Sequence, residues 1–185
     1  MTGSPVFPLP RTVALVGLMG AGKSSIGRRL AQRLKVPFVD ADSEIEVAAG
    51  ATVEEIFERH GEAAFREGER RVIARLLEGP VHVLATGGGA FMDAATRAVL
   101  RERAISIWLR ADLELLAGRV LRRNNRPLLK GQDPRIVLAQ LMAERYPVYA
   151  EADITVDTIE GPPEATLDAV IATLASHLGV VAEAT

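Results

Sequence analysis

The chain has 185 residues, 48% of them apolar and 25% charged, with a formal net charge of −2. That is one globular domain's worth of chain, and it carries no global field to gather nucleic acid or anionic lipid, so any anion site must be a local cluster of positive groups. With no cysteine there is neither a disulfide framework nor a thiolate metal site, and no apolar run approaches the roughly 18 residues that span a bilayer.

The first ten residues, MTGSPVFPLP, hold three prolines and no basic residue, unlike a secretory signal. They are expected to form a flexible leader on a cytoplasmic protein. Thr12–Val16 is a continuous apolar run, the pattern of a strand buried on both faces. Directly after it, Gly17 to Ser24 read GLMGAGKS and match G-x-x-x-x-G-K-[ST], leading into a helix expected over Lys23–Leu34. Glycines there let the backbone curl so that the amides of Gly20, Ala21, Gly22, Lys23, Ser24 and Ser25 face phosphate oxygens, and the helix N-terminus adds partial positive charge. Lys23 would reach the β- and γ-phosphates and the Ser24 hydroxyl would ligate Mg²⁺. A bare strand-to-helix turn would not require the Lys-Ser pair. The N-K-x-D and D-x-x-G signals of a GTP switch are missing.

A second strand over Val36–Val39 runs into Asp40 and, two residues on, Asp42. Side chains two apart on an extended chain share a face. Two carboxylates at a strand's C-terminal end suit Mg²⁺ coordination through water and orientation of a hydroxyl nucleophile; the competing reading is a helix cap plus a turn carboxylate. Thr52 to Glu55 has capping-box form and opens a helix to about His60, and a further helix over Glu62–Leu77 carries Arg66. The third strand, Val81–Ala85, ends in Thr86, Gly87, Gly88 and Gly89, where glycines permit close backbone approach and free amide donors, or serve only as a flexible connection. Asp93 can cap a helix over Ala94–Arg103, and Ile105–Leu109 is a fourth strand in which Trp108 reads as core.

Arg122–Gln132, RRNNRPLLKGQ, is polar, basic and broken by proline and glycine, and reads as a lid. It lacks the interleaved aromatics of a nucleic-acid surface. Asp133-Pro134 opens a helix to about Tyr146 that carries Arg145, Ile154–Val156 is a fifth strand, and Leu167, Val170, Ile171, Leu174 and Leu178 line one face of a last helix. Arg66, Arg119, Arg126 and Arg145 have the planar fork that grips carboxylates and phosphates, although most arginines are solvated or paired with glutamate. None of the three histidines has ligand spacing. Alternating strands and helices imply an α/β fold with a parallel sheet: one domain over residues 11–178, with a lid at about 119–132 and a tail at 179–185.

Taken together and in order, GLMGAGKSSIGRRLA, FVDADSEIE, IFERHGEAAFREGE, LATGGGAF, RPLL and RYPVYAEAD resemble the shikimate kinase family over roughly residues 12 to 158. The resemblance implies a P-loop kinase fold of the nucleoside-monophosphate-kinase type, a five-stranded parallel sheet in order 2-3-1-4-5 with helices on both faces and a mobile lid. It implies ATP-dependent phosphorylation of the shikimate 3-hydroxyl, with Mg²⁺, by a monomer that binds neither nucleic acid nor membrane. By the same resemblance, Asp42 holds the acceptor hydroxyls and takes the proton, and Arg66 and Arg145 grip its carboxylate. Gly88, between Gly87 and Gly89, offers a backbone donor to a ring hydroxyl. Arg126 closes over the transferring phosphate with Lys23, Arg119 stacks on adenine, and Asp40 reaches Mg²⁺ through water beside Ser24. Alternatives are another small-metabolite kinase, such as a gluconate kinase, and a nucleotide-dependent switch.

Overall fold

A computed structural model describes residues 7–122 and 131–180. Arg126 and the rest of the central lid segment lie outside the described residues. Five parallel strands, β1 (Thr12–Val16), β2 (Phe38–Asp40), β3 (Val83–Ala85), β4 (Ala104–Arg110) and β5 (Ile154–Asp157), form one sheet in the order β2-β3-β1-β4-β5. β1 lies at the centre, with Val13 opposite both Val83 and Ile105. All five residues of β1 are buried, as a strand covered on both faces should be, whereas β5, at the edge, alternates buried and exposed residues.

The helices are α1 (Lys23–Leu34), α2 (Ala41–Ala49), α3 (Val53–Glu78), α4 (Ala94–Arg103), α5 (Leu113–Leu121), α6 (Pro134–Tyr149) and α7 (Pro163–Leu178). Several of their starts follow the sequence signals. Thr52 and Glu55 form a reciprocal capping box, and the Asp93, Asp112 and Asp133 carboxylates each accept a first-turn amide. The break expected at Gly61 is present as a non-helical kink inside α3, at φ 79° and ψ 174°.

Three expectations are corrected. β2 starts at Phe38 rather than Val36, because α1 ends on Lys35 in the left-handed region and the Val36 amide is spent on Ala31 O. α2 was not foreseen: the chain turns helical at Ala41, directly after the strand. α5 was not foreseen either, and Arg119, placed by sequence in the lid, stands on it. In the leader, Phe7 is 6% exposed and packs on the core, since a phenyl ring gains more from burial than from water.

Candidate active site

Parallel strands put all their C-terminal ends on one edge of the sheet. The loop after β1 supplies the first wall. Gly22 caps α1 at φ 96°, in the left-handed region that favours glycine, and carries no side chain to bond the helix amides. No cap side chain therefore competes with an anion for those N–H groups. Gly17 has φ 145°, and a Cβ there would stand 2.9 Å from Leu109 O. Lys23 Nζ donates to Gly17 O at 2.7 Å and Leu18 O at 3.0 Å, so the ammonium is held at the mouth of the loop. Ser24 Oγ donates to Asp40 Oδ2 at 3.2 Å. The Ser25 hydroxyl accepts from Arg29 at 2.8 Å. Arg119 reaches across from α5, donating to Gly20 O at 3.0 Å, Ala21 O at 3.3 Å and Ile159 O at 3.4 Å.

The two aspartates converge by a route other than the shared face of a strand. Asp40 ends β2 and caps α2, its Oδ1 accepting from the Ser43 amide at 3.1 Å, while Asp42 lies in the first helical turn. The cap and the Ser24 contact use different oxygens of Asp40, so the helix-cap reading holds and leaves Oδ2 facing the phosphate loop. Burial, and then the Asp40 charge, push the Asp42 carboxyl above the ordinary aspartate value, against the pull of Lys23 and Arg66.

The glycines after β3 adopt none of the left-handed conformations found in the phosphate loop. What their positions require is the missing Cβ. A Cβ on Gly87 would lie 2.8 Å from Asp42 Oδ1 and 3.2 Å from Glu69 Oε2. On Gly88 it would lie 3.4 Å from an Arg145 nitrogen and 3.8 Å from the Met19 amide. On Gly89 it would fall 2.0 Å from the Arg66 guanidinium. The turn is therefore the floor on which Asp42, Arg66, Arg145 and the start of the phosphate loop meet.

Glu69 was absent from the sequence reading. It is fully buried, and its Oε1 accepts from Arg66 at 2.8 Å while Oε2 has no partner among the described residues. Burial pushes its carboxyl up, against the pull of the Arg66 hydrogen bond. The signal lay in the spacing, since residues three apart share a helix face, but a run of charges in FREGERR looks like a solvated surface. Arg66 also lies 5.2 Å from the Phe65 ring, which narrows the orientations of its fork.

A cavity of about 480 Å³ joins Met19–Ile26, Asp40, Asp42, Thr86, Gly87 and Gly88 with Arg119 and Thr158, and a neighbouring one of about 350 Å³ shares Arg119, Arg122 and Thr158 with it. Among the described residues no group of three or more acidic or imidazole side chains could cage a metal ion. The Ser24 hydroxyl beside the Asp40 carboxylate suits instead an octahedral Mg²⁺ that keeps most of its water and takes phosphate oxygens.

A family model described as shikimate kinase matches residues 19–175. The shikimate kinase of Caulobacter vibrioides (strain NA1000 / CB15N) is 58% identical over 164 residues, which span 89% of this chain and 82% of that protein. That of Paramagnetospirillum magneticum is 58% identical over 168 residues, 91% of this chain and 86% of that one. Among solved structures, the shikimate kinase from Acinetobacter baumannii in complex with shikimate aligns with a TM-score of 0.82 at 41% identity, covering 91% of this chain and 93% of the other. A gluconokinase from Sinorhizobium meliloti 1021, at TM-score 0.61 and 20% identity over 94% of this chain and 98% of its own, shares the fold alone.

Proposed function

The chain belongs to the shikimate kinase family, and on that premise we propose how its own side chains carry the reaction. The enzyme phosphorylates the 3-hydroxyl of shikimate. In the proposed assignment the donor is ATP, its phosphates lying against the loop from Gly20 to Ser25 with Ser24 and Asp40 holding Mg²⁺. The bound ion would neutralise charge on the phosphate oxygens. Lys23 exchanges two neutral carbonyl acceptors for charged phosphate oxygens, a stronger interaction. Arg126 is assigned to the transferring phosphate, and Arg119 to the base, beside the second cavity.

On the acceptor side, Arg66 and Arg145 grip the shikimate carboxylate, and the Gly88 amide, flanked by those of Gly87 and Gly89, meets a ring hydroxyl. Asp42 takes the proton of the 3-hydroxyl as its oxygen bonds to the γ-phosphorus, while the bond from that phosphorus to the β-bridging oxygen breaks and ADP leaves with the pair. A carboxyl raised above the ordinary aspartate range is a stronger base than a solvated one. Glu69 holds Arg66 in place through its Oε1. The working unit is taken as the single domain over residues 11–178, a cytoplasmic monomer; no described helix is long and apolar enough to cross a membrane.

The observation that carries this assignment is the meeting of three elements at the Gly87–Gly89 turn. There Asp42, Arg66 and Arg145 stand against the residues that begin the phosphate loop. ADP release from ATP and Mg²⁺ tests it. The rate should rise by orders of magnitude with shikimate and not with gluconate or a nucleoside monophosphate. Equal rates with and without shikimate would replace the kinase with a switch.

A further inference from the structure

Tyr149 occupies the last position of α6, one helical turn beyond Arg145 and on the same face. It is among the largest fully buried side chains, at 1% exposure. Its ring packs beside Trp108, Phe91 and Tyr146, at centroid distances of 5.8, 6.3 and 6.2 Å. Packing alone would be served by phenylalanine. The hydroxyl is the unexplained part: it donates to the carbonyl of Gly88.

Gly88 itself sits at the junction of the two half-sites. A Cβ on Gly88 would touch Arg145 at 3.4 Å on one side and the Met19 amide at 3.8 Å on the other. A peptide free of Cβ atoms on both of its residues, Gly88 and Gly89, has little of its own to fix its plane. The Tyr149 hydroxyl supplies the constraint, because a carbonyl held from one direction orients the whole peptide. The same phenol lies beside the Arg145 guanidinium. Burial raises its pKa to about 12, against the pull of that arginine, so the donor keeps its proton throughout the working range.

We infer that Tyr149 is a positioning residue for the acceptor: its hydroxyl pins the Gly88 carbonyl and thereby sets Arg145 and the glycine turn at the spacing that shikimate bridges. This rests on the assignment of Arg145 and Gly88 to shikimate. The second tyrosine of α6, Tyr146, anchors the helix to the Ala111 carbonyl beyond β4, and so serves the scaffold rather than the turn.

Tyr149→Phe keeps the ring and removes the pin. The KM for shikimate should rise about tenfold, the effect of one buried acceptor left without its donor, while the KM for ATP stays unchanged and kcat falls less than threefold. The deficit should be flat between about pH 6 and 10, because the phenol does not titrate there. In an Arg145→Ala background the same substitution should cost less than half as much, since the two act on one contact. A purely structural tyrosine would lower Tm and move both KM values together, and that result, or an unchanged shikimate KM alongside an Arg145→Ala that raises it, overturns the pin. An Arg145→Ala with unchanged shikimate KM overturns the carboxylate assignment itself and the pin with it.

Discussion

The glycine loop after β1 and the glycine turn after β3 line one cavity and use glycine for different reasons. In the loop, Gly22 has room around it, the nearest neighbour of a Cβ lying 3.7 Å away, and its φ of 96° is what excludes other residues. In the turn after β3, Gly89 has an ordinary φ of −97°, and the Arg66 guanidinium excludes a side chain. The loop is a backbone device made by consecutive residues. The proposed acceptor pocket is a packing device made by side chains of α2, α3 and α6 that close on a bare turn. A site of the first kind is damaged by local strain, and one of the second kind by the displacement of a partner far along the chain.

The comparison breaks most visibly at Lys23, the cation of the loop. Lys23→Ala should cut kcat by about 10³-fold or more while shikimate still binds, as read by quenching of Trp108, the sole tryptophan. Next come the two glycines. Gly89→Ala should raise the shikimate KM about 30-fold by driving Arg66 off its position, and lower Tm by loosening the Arg66–Glu69 pair, with the ATP KM little changed. Gly22→Ala should do the reverse, raising the ATP KM and costing about 1–2 kcal/mol in denaturant unfolding from left-handed strain. A Gly89→Ala enzyme with normal shikimate affinity would remove the packing half of the contrast.

Smaller effects sharpen it. Glu69→Gln keeps a hydrogen-bond acceptor for Arg66 but removes the buried charge, and should raise the shikimate KM about fivefold. Smallest is the pH response. In its proposed role Asp42 must lose its proton to act as a base, so kcat/KM for shikimate should fall as pH drops through its raised pKa, above the ordinary aspartate value. The same raised values at Asp42 and Glu69 mean that the folded chain holds these protons more tightly than the unfolded one. Their contribution to stability is full below the unfolded pKa values and is lost as pH rises through the folded ones. Thermal melts of Glu69→Gln should show a shallower loss over that window than the parent chain.

The sequence by itself determined what depends on neighbours in the chain. Each strand was found from its apolar run, with ends wrong by a residue or two where Val36 was taken by the end of α1. The phosphate loop and most helix starts were legible because glycine conformations, caps and the positions of Lys23 and Ser24 are local properties. The order of the strands and the membership of Asp42, Arg66, Gly88 and Arg145 in one site came from resemblance to a family, not from spacing. α2 stayed hidden because it begins without an intervening loop, although the aspartates at its start had been weighed as a helix cap. Only the tertiary structure decided the rest. Glu69 looks like one charge in a solvated run until α3 packs it to zero exposure against the glycine turn. Tyr149 looks like a core ring until its hydroxyl meets Gly88. A carboxylate's burial, a phenol's acceptor and the space denied to a Cβ are set by residues tens of positions away, and the free energy of those contacts exists only once the layers have closed.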